Sequence, residues 1–116
     1  MRSERTKACD FTRKERVSIL HRDGGCIFCG MRYRMEKADS YNTSIPEIMH
    51  YIPRSQGGLG TGRNAALGCR YHHRMMDEGP HRKEMRELMK KYLQSMYRDW
   101  NEEELVYRKG QDRRKG

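Results

Sequence analysis

Two short motifs of metal-binding side chains lie far apart in the chain, Cys26-x-x-Cys29 and Cys69-x-x-His72. A pair of thiols at this spacing occurs both in redox dithiols and in zinc knuckles. The second motif favours zinc, because three thiolates and one imidazole complete the tetrahedral ligand set of a structural site. The sequence therefore predicts a structural Zn²⁺ ion held by Cys26, Cys29, Cys69 and His72, with a functional segment inserted between the two motifs.

The inserted segment and the helix expected after it carry histidines and an asparagine separated by glycines. Residues 47–77 have the sequence EIMHYIPRSQGGLGTGRNAALGCRYHHRMMD. His50 ends a β-like run, Asn64 follows the glycine-rich loop, and His72 and His73 open a helical stretch. This order of His, Asn and His on a strand, a loop and a helix resembles the HNH nucleases, the ββα-metal family.

The resemblance implies catalytic roles for three residues. His50 matches the general base of the family, Asn64 its middle asparagine, which orients the base or the metal, and His73 its closing histidine, which faces a divalent metal. A neutral histidine and one divalent ion can supply the activated water and the charge stabilisation that phosphodiester hydrolysis needs. The expected ion is Mg²⁺ or another divalent metal such as Mn²⁺ or Ni²⁺. The sequence leaves an ambiguity at the histidine pair: Cys-x-x-His spacing assigns His72 to zinc, whereas the distance from Asn64 assigns His73 to catalysis.

One position departs from the family pattern. Most members place Asp or His, as a metal ligand, directly before the base, and this chain has Met49 there. A thioether is a poor ligand for Mg²⁺ or Mn²⁺. Asp77 shares a helix face with His73 at a spacing of four residues and is the favoured replacement, with Glu47 next. If Asp77 is only a surface acid, the departure indicates weak or lost catalysis.

The charge of the chain favours a polyanionic partner. The formal net charge is +9 and the sequence pI about 9.7, which together with the resemblance predicts DNA. The arginines around the motif are candidate phosphate contacts: Arg54, Arg63, Arg70 and Arg74. Small members of the family are often encoded by phages or mobile elements and some act beside DNA-packaging machinery, so the resemblance also implies phage packaging proteins as partners.

The N-terminus predicts one helix after a loose start. Thr12 with Glu15 forms a capping box for a helix over residues 12–22. Residues 1–10 are polar and expected to be loose, with Cys9 as a free surface thiol. No apolar run approaches the roughly 18 residues of a membrane span, and no secretion signal is recognised. A cytoplasmic location, in a bacterial host cell, is the expectation.

Further elements follow from the hydrophobic pattern. Strands are predicted over residues 45–52 and 64–68, with a helix from His72 or His73 to about Asp77. A second helix is predicted from about residue 80 to residue 100 by an apolar stripe at helical spacing. That stripe indicates packing against the core, with a dimer seam as the alternative.

These elements predict one domain over residues 1–116, of the α+β class. A small ββα-metal core with a structural zinc (about 11–80) is expected between an N-terminal helix and a long C-terminal helical extension (80–107), followed by a basic tail (108–116). Hydrophobic residues make up only 34% of the chain, so a small core needs a staple such as zinc.

The predicted function is metal-dependent HNH endonuclease activity that hydrolyses or nicks DNA, in a monomer or weak dimer. Two alternatives stay open. One is a zinc-stapled nucleic-acid-binding module with weak or lost catalysis, for which Met49 is the argument. The other is a protein-binding adaptor on the same scaffold that uses the methionine-rich C-terminal helix.

Overall fold

The structure, a computed structural model, describes residues 3–109. The chain has an α+β fold around a two-stranded antiparallel sheet, formed by β1 (Pro46–His50) and β2 (Ala65–Cys69). The register of the two strands places His50 at one end of this ribbon and Cys69 at the other.

Helices precede, interrupt and follow the sheet. They are α1 (Glu4–Cys9), α2 (Arg13–Asp23), α3 (Ile27–Gly30), α4 (Ser40–Thr43), α5 (Arg70–Glu78) and α6 (Arg82–Met96), and 3₁₀ turns lie at Arg54–Gln56, Gly62–Asn64 and Glu102–Leu105. Within residues 3–109, no helix is long and apolar enough to cross a membrane. Of the predicted basic tail, residues 110–116 lie outside the described residues.

The two strands predicted from the sequence are confirmed, with ends that differ by one or two residues. Helix α5 begins earlier than expected, at Arg70 rather than at His72 or His73. The cause is a cap: Cys69 Sγ accepts the backbone N–H of His72 at 3.5 Å, so the helix starts directly after the cysteine. Helix α6 ends earlier than expected, at Met96.

The expectation for the first ten residues is wrong on two counts. Residues 4–9 form α1, with Ser3 as its N-cap, rather than loose chain. Cys9 is 2% exposed and so is not a surface thiol. The order comes from tertiary contact, since the N–H of Gly60 donates to the carbonyl of Ala8 at 2.9 Å. No local pattern in the first ten residues reveals a partner so far along the chain.

Helix α6 packs its apolar stripe into the main core. Met85, Met89 and Leu93 are fully buried there, together with Phe28 and the β1 residue Met49. The stripe is therefore used within the chain, which agrees with the predicted packing role and leaves little of it for a dimer seam.

The other face of the sheet packs on α2. Side chains alternate along a strand, so Ile48 turns away from its neighbour Met49 and joins a second apolar cluster. The buried members of that cluster are Ile19 from α2 and Ala65 and Leu67 from β2. The hairpin is thus held between two separate apolar contacts.

Arg22 and Asp23 form a buried polar hub at the end of α2. The Asp23 side chain is 0% exposed and accepts hydrogen bonds from Arg22 at 2.6 Å and from the N–H of Leu67 at 2.8 Å. The hydroxyl of Tyr92 also donates to it, and burial with the nearby carboxylate raises the pKa of Tyr92 to about 12. Arg22 in turn donates to the carbonyl of Ala65 at 2.7 Å. The hub therefore ties α2 to β2 and to α6.

Replacement of Asp23 tests this hub. Asp23→Ala leaves a buried guanidinium and a buried backbone N–H without their acceptor, and we expect it to lower the free energy of unfolding by about 3–5 kcal/mol. Urea denaturation with zinc present measures the change. The matched control is Asp99→Ala, which removes a carboxylate that pairs with Arg63 at 2.9 Å but is 78% exposed; we expect little change there. Equal effects in the two variants would contradict the structural role of the hub.

Candidate metal centre and catalytic residues

The four predicted zinc ligands come together in one cluster, here called the zinc cluster. Their ligand atoms all lie within 4.8 Å of one another, and in the part of the chain described they form the only such group of three or more His, Cys, Asp or Glu residues. The Nδ1 atom of His72 is 3.4 Å from Cys69 Sγ and 3.5 Å from Cys29 Sγ, and the two sulfurs are 3.7 Å apart. Around a tetrahedral zinc, with bonds of about 2.3 Å to sulfur and about 2.0–2.1 Å to nitrogen, neighbouring ligands stand about 3.5–3.8 Å apart. The cluster fits a zinc ion.

Each half of the zinc cluster is built at a helix start. Cys26 is the N-cap of α3 and its Sγ accepts the N–H of Cys29 at 3.4 Å, and Cys69 caps α5 in the same way. Backbone N–H groups aimed at sulfur stabilise thiolates. His72 is fully buried, and its Nε2 donates to the carbonyl of Tyr33 at 2.7 Å. This bond fixes the tautomer that offers Nδ1 to the metal, so His72 belongs to the zinc cluster.

Burial disfavours the charged form of two cysteines of the zinc cluster, Cys26 and Cys29. All four cysteines of the chain are free, and burial raises the pKa of the Cys26 and Cys29 thiols. A catalytic dithiol needs a lowered thiol pKa instead. A bound divalent cation would provide the charge that stabilises these thiolates at neutral pH.

His50, the predicted general base, ends β1 in a half-buried position. Its Nε2 donates to the carbonyl of Cys9 at 3.1 Å, and its ring lies 4.6 Å from that of Phe11, centroid to centroid. Burial lowers the pKa of His50, against an opposing effect of the hydrogen bond to the Cys9 carbonyl, and the positive charge of Arg54 lowers it further. The imidazole is therefore neutral at neutral pH, as a general base must be.

Asn64 is fully buried and uses its side chain on backbone groups. Its amide nitrogen donates to the carbonyls of Leu59 and Ile52 at 2.9 and 3.1 Å, and its side-chain oxygen accepts the N–H of Ile52 at 2.8 Å. Gly58 lies in the same turn, where a Cβ would stand 1.7 Å from the Ile52 carbonyl oxygen. Asn64 thus fixes the loop that follows His50; its predicted influence on the base is through this loop.

His73 lies on the exposed side of α5 between two carboxylates. Its Nδ1 is 2.9 Å from Glu47 Oε1, and its Nε2 is 3.4 Å from Asp77 Oδ2. Arg70 donates to the other oxygen of Glu47 at 3.3 Å. Although burial opposes it, the hydrogen bonds from His73 and Arg70 lower the pKa of Glu47. The structure therefore brings His73 together with both acids that the sequence offered as replacements for the missing ligand.

Met49 is a core residue. It is 0% exposed, and its sulfur lies over Gly68, where a Cβ would stand 2.5 Å from the sulfur. An aspartate at this position would be a carboxylate in the apolar core, which is unfavourable without a partner. Met49, which stands where the resemblance expects a metal ligand, is therefore a residue that packs β1 against β2.

The four candidate phosphate contacts differ in their surroundings. Arg54 pairs with Asp10, Arg63 with the exposed Asp99, and Arg70 with Glu47. Arg74 is exposed. A nucleic-acid phosphate would have to compete with a carboxylate at the first three sites. Their phosphate-binding role stays a prediction.

Two features of the site were not foreseen from the sequence. The carbonyl of Cys9 accepts a hydrogen bond from His50, and Glu47 is hydrogen-bonded to His73 rather than merely near it. The contact of Glu47 with the site is indicated by its position two residues before Met49, on the same face of the strand. Nothing local signals the first, because a backbone carbonyl has no side-chain identity to recognise.

The chain matches no protein-family model, no curated protein and no solved structure. The resemblance to HNH nucleases therefore rests on the residues of the sequence alone.

The metal content of the protein tests the zinc cluster. We expect one zinc ion per purified chain, lost in Cys69→Ala and retained in Cys9→Ala, because Cys9 lies outside the cluster. Structural zinc contributes on the order of 10–16 kcal/mol in small fingers, so its removal by a chelator should unfold much of the domain. Elemental analysis and circular dichroism measure both effects. A folded, chelator-resistant protein without zinc would contradict the assignment.

A titration of His50 tests whether burial lowers its pKa. Its pKa in the folded protein is lowered from the ordinary value of 6.5. The neutral side chain therefore contributes fully to the stability of the fold above pH 6.5, and this contribution is lost as the pH falls through the folded-state pKa. An NMR titration of the imidazole should give a midpoint below 6.5. A midpoint at or above 6.5 would show that burial does not control this side chain.

Proposed function

We propose that the protein is a metal-dependent HNH endonuclease that hydrolyses or nicks phosphodiester bonds in DNA. The observation that carries the proposal is the pair of histidines on β1 and α5: the half-buried His50 at the end of β1, and His73 between the carboxylates of Glu47 and Asp77. A neutral imidazole can take a proton from water, and an imidazole with a carboxylate can bind a hard divalent cation. These are the two chemical parts that the reaction needs.

The scaffold around these residues supports the same proposal. Strand β1, strand β2 and helix α5 follow one another and contact one another, which is the order of a ββα-metal motif. The zinc cluster lies where β2 passes into α5, at Cys69. It would fix the angle of α5 on the hairpin, and with it the position of His73 relative to His50.

His73 and one carboxylate would hold the catalytic ion, Mg²⁺ or another divalent metal such as Mn²⁺ or Ni²⁺. The imidazole ring separates the two acids, so an ion on Nε2 has Asp77 beside it and an ion on Nδ1 has Glu47. We favour Nε2 with Asp77, because Glu47 is already engaged by Arg70. Glu47 then accepts the Nδ1 proton and orients the ring, as carboxylates behind metal-bound histidines do.

In the proposed reaction, His50 would act on the attacking water and the bound ion on the phosphate. His50 accepts a proton from the attacking water, whose oxygen bonds to phosphorus. The bond from phosphorus to the leaving 3′ oxygen breaks, and that oxygen takes a proton from solvent. The bound ion would supply charge stabilisation at the phosphate. The net charge of +9 would draw the DNA backbone to the site.

A second candidate is a zinc-stapled nucleic-acid-binding module without catalysis. The buried Met49 favours it, because the usual ligand before the base is replaced by a core side chain. The adaptor alternative is weaker, because Met85, Met89 and Leu93 of the methionine-rich helix are buried within the chain. Phage packaging partners and a location in the bacterial host cytoplasm are further proposals, which follow from the resemblance alone.

Plasmid nicking tests the proposed function. Zinc-loaded protein should nick DNA with Mg²⁺, Mn²⁺ or Ni²⁺ added, and His50→Ala should slow the reaction by roughly 10²–10⁴-fold with DNA affinity unchanged, since only the base is lost. The matched control is His21→Ala, which alters an exposed histidine. Asp77→Ala should abolish cleavage nearly as fully as His73→Ala, and Glu47→Ala should weaken it less.

Three outcomes separate the alternatives. Normal cutting by Asp77→Ala together with loss in Glu47→Ala would move the ion to the Nδ1 side. DNA binding without cleavage in any metal would reject the enzyme and favour the binding module. An absence of both would reject nucleic acid as the partner.

A further inference from the structure

His50 is held from outside the hairpin, by the first helix. Its Nε2 stands 3.1 Å from the carbonyl oxygen of Cys9, the last residue of α1, and the ring of Phe11 packs against it. A carbonyl only accepts hydrogen bonds, so Nε2 of the neutral imidazole carries the proton. The lone pair of the ring is therefore on Nδ1.

The helix that supplies this carbonyl is firmly attached to the loop after β1. The Ala8 carbonyl accepts the N–H of Gly60 at 2.9 Å, and Arg5 donates to the carbonyl of Ser55 at 3.2 Å. Cys9 itself is 2% exposed. Because these two contacts hold α1 against the loop, the acceptor at Nε2 is fixed relative to the strand that carries His50.

Two further contacts close the attachment around the base. Asp10, directly after Cys9, forms an ion pair with Arg54. Gly60 of the loop allows the backbone of Asp10 and Phe11 to approach closely, because a Cβ at Gly60 would stand 2.3 Å from the Asp10 carbonyl oxygen and 2.8 Å from the Phe11 nitrogen. The linker from α1 to α2 therefore passes over the loop at backbone contact distance. Cys9 and Phe11, which contact His50, lie on either side of Asp10 in this linker.

We infer that α1 is a positioning element of the candidate active site: the Cys9 carbonyl holds His50 as its Nε2–H tautomer, so that Nδ1 is the nitrogen that accepts the proton of water. The inference rests on the proposed function. When the water oxygen bonds to phosphorus and the bond from phosphorus to the leaving 3′ oxygen breaks, the water proton moves to Nδ1 and the ring becomes an imidazolium. The other ring proton stays on Nε2, hydrogen-bonded to the Cys9 carbonyl, and the imidazolium then returns the Nδ1 proton to solvent.

The first test is the tautomer of the wild-type protein. A long-range ¹H–¹⁵N correlation spectrum of uniformly labelled, zinc-loaded protein distinguishes a protonated imidazole nitrogen from a bare one, with His50 assigned by its loss in His50→Gln. We expect a protonated Nε2 and a bare Nδ1 above the pKa of the ring. A protonated Nδ1, or equal populations of the two tautomers, would overturn the inference. This measurement needs no activity and no variant of α1.

The second test displaces α1 without touching the hairpin residues of the site. Gly60→Ala forces a Cβ against the backbone of Asp10 and Phe11. We expect a mixture of His50 tautomers and a fall in kcat of about 10²-fold, as for a reacting group misplaced by an ångström, with KM for DNA and zinc content unchanged. Gly25→Ala is the matched control, because a Cβ there has no heavy atom within 4 Å.

The outcomes of the two tests separate the inference from the proposed function. If wild type cuts DNA and Gly60→Ala keeps the tautomer and the kcat of the Gly25→Ala control, the role of α1 is rejected and the nuclease stands. If Gly60→Ala does not fold, the wild-type spectrum alone decides the tautomer. If wild type cuts no DNA with any ion, the proposed function fails and this role fails with it.

Discussion

The zinc cluster is the constraint on which the rest of the structure depends. Its four ligands come from two motifs that no strand pairing joins: the turn at α3 and the junction of β2 with α5. An ion bound there closes the chain around the hairpin and sets the direction in which α5 leaves it. A chain that is 34% hydrophobic and 35% charged has little apolar area with which to stabilise the same arrangement, so we expect metal binding to be coupled to folding.

The hairpin carries the candidate chemistry because its two faces are held separately. On one face Met49 packs with α6, and on the other Ile48 packs with α2. The buried hub of Arg22 and Asp23 then links α2 to β2 by hydrogen bonds. Breaking them would leave a buried charge unpaired, which is unfavourable. The strand that ends at His50 is thereby held from both faces.

Charge in this protein has two separate roles. Arg22 is a buried structural group whose hydrogen bonds to Asp23 and Tyr97 outweigh the effect of burial and raise its pKa. Arg63 instead faces Asp99 at the surface, where an ion pair contributes little to stability.

The sequence alone determined the parts whose chemistry is local. Cys26, Cys29, Cys69 and His72 were predicted as one zinc site because ligand type and spacing limit the possible arrangements, and the two strands followed from alternation and glycine turns. Only the tertiary structure decided that Cys9 is buried and that its carbonyl meets His50, because residues distant in sequence supply those contacts. It also decided that Met49 belongs to the core and that His73 stands between Glu47 and Asp77. Arg22 looks like any other arginine in the sequence, and only packing against β2 and α6 makes it a structural residue. Side-chain type fixes what a residue can bind, whereas burial and the contacts made by the folded chain fix what it does bind.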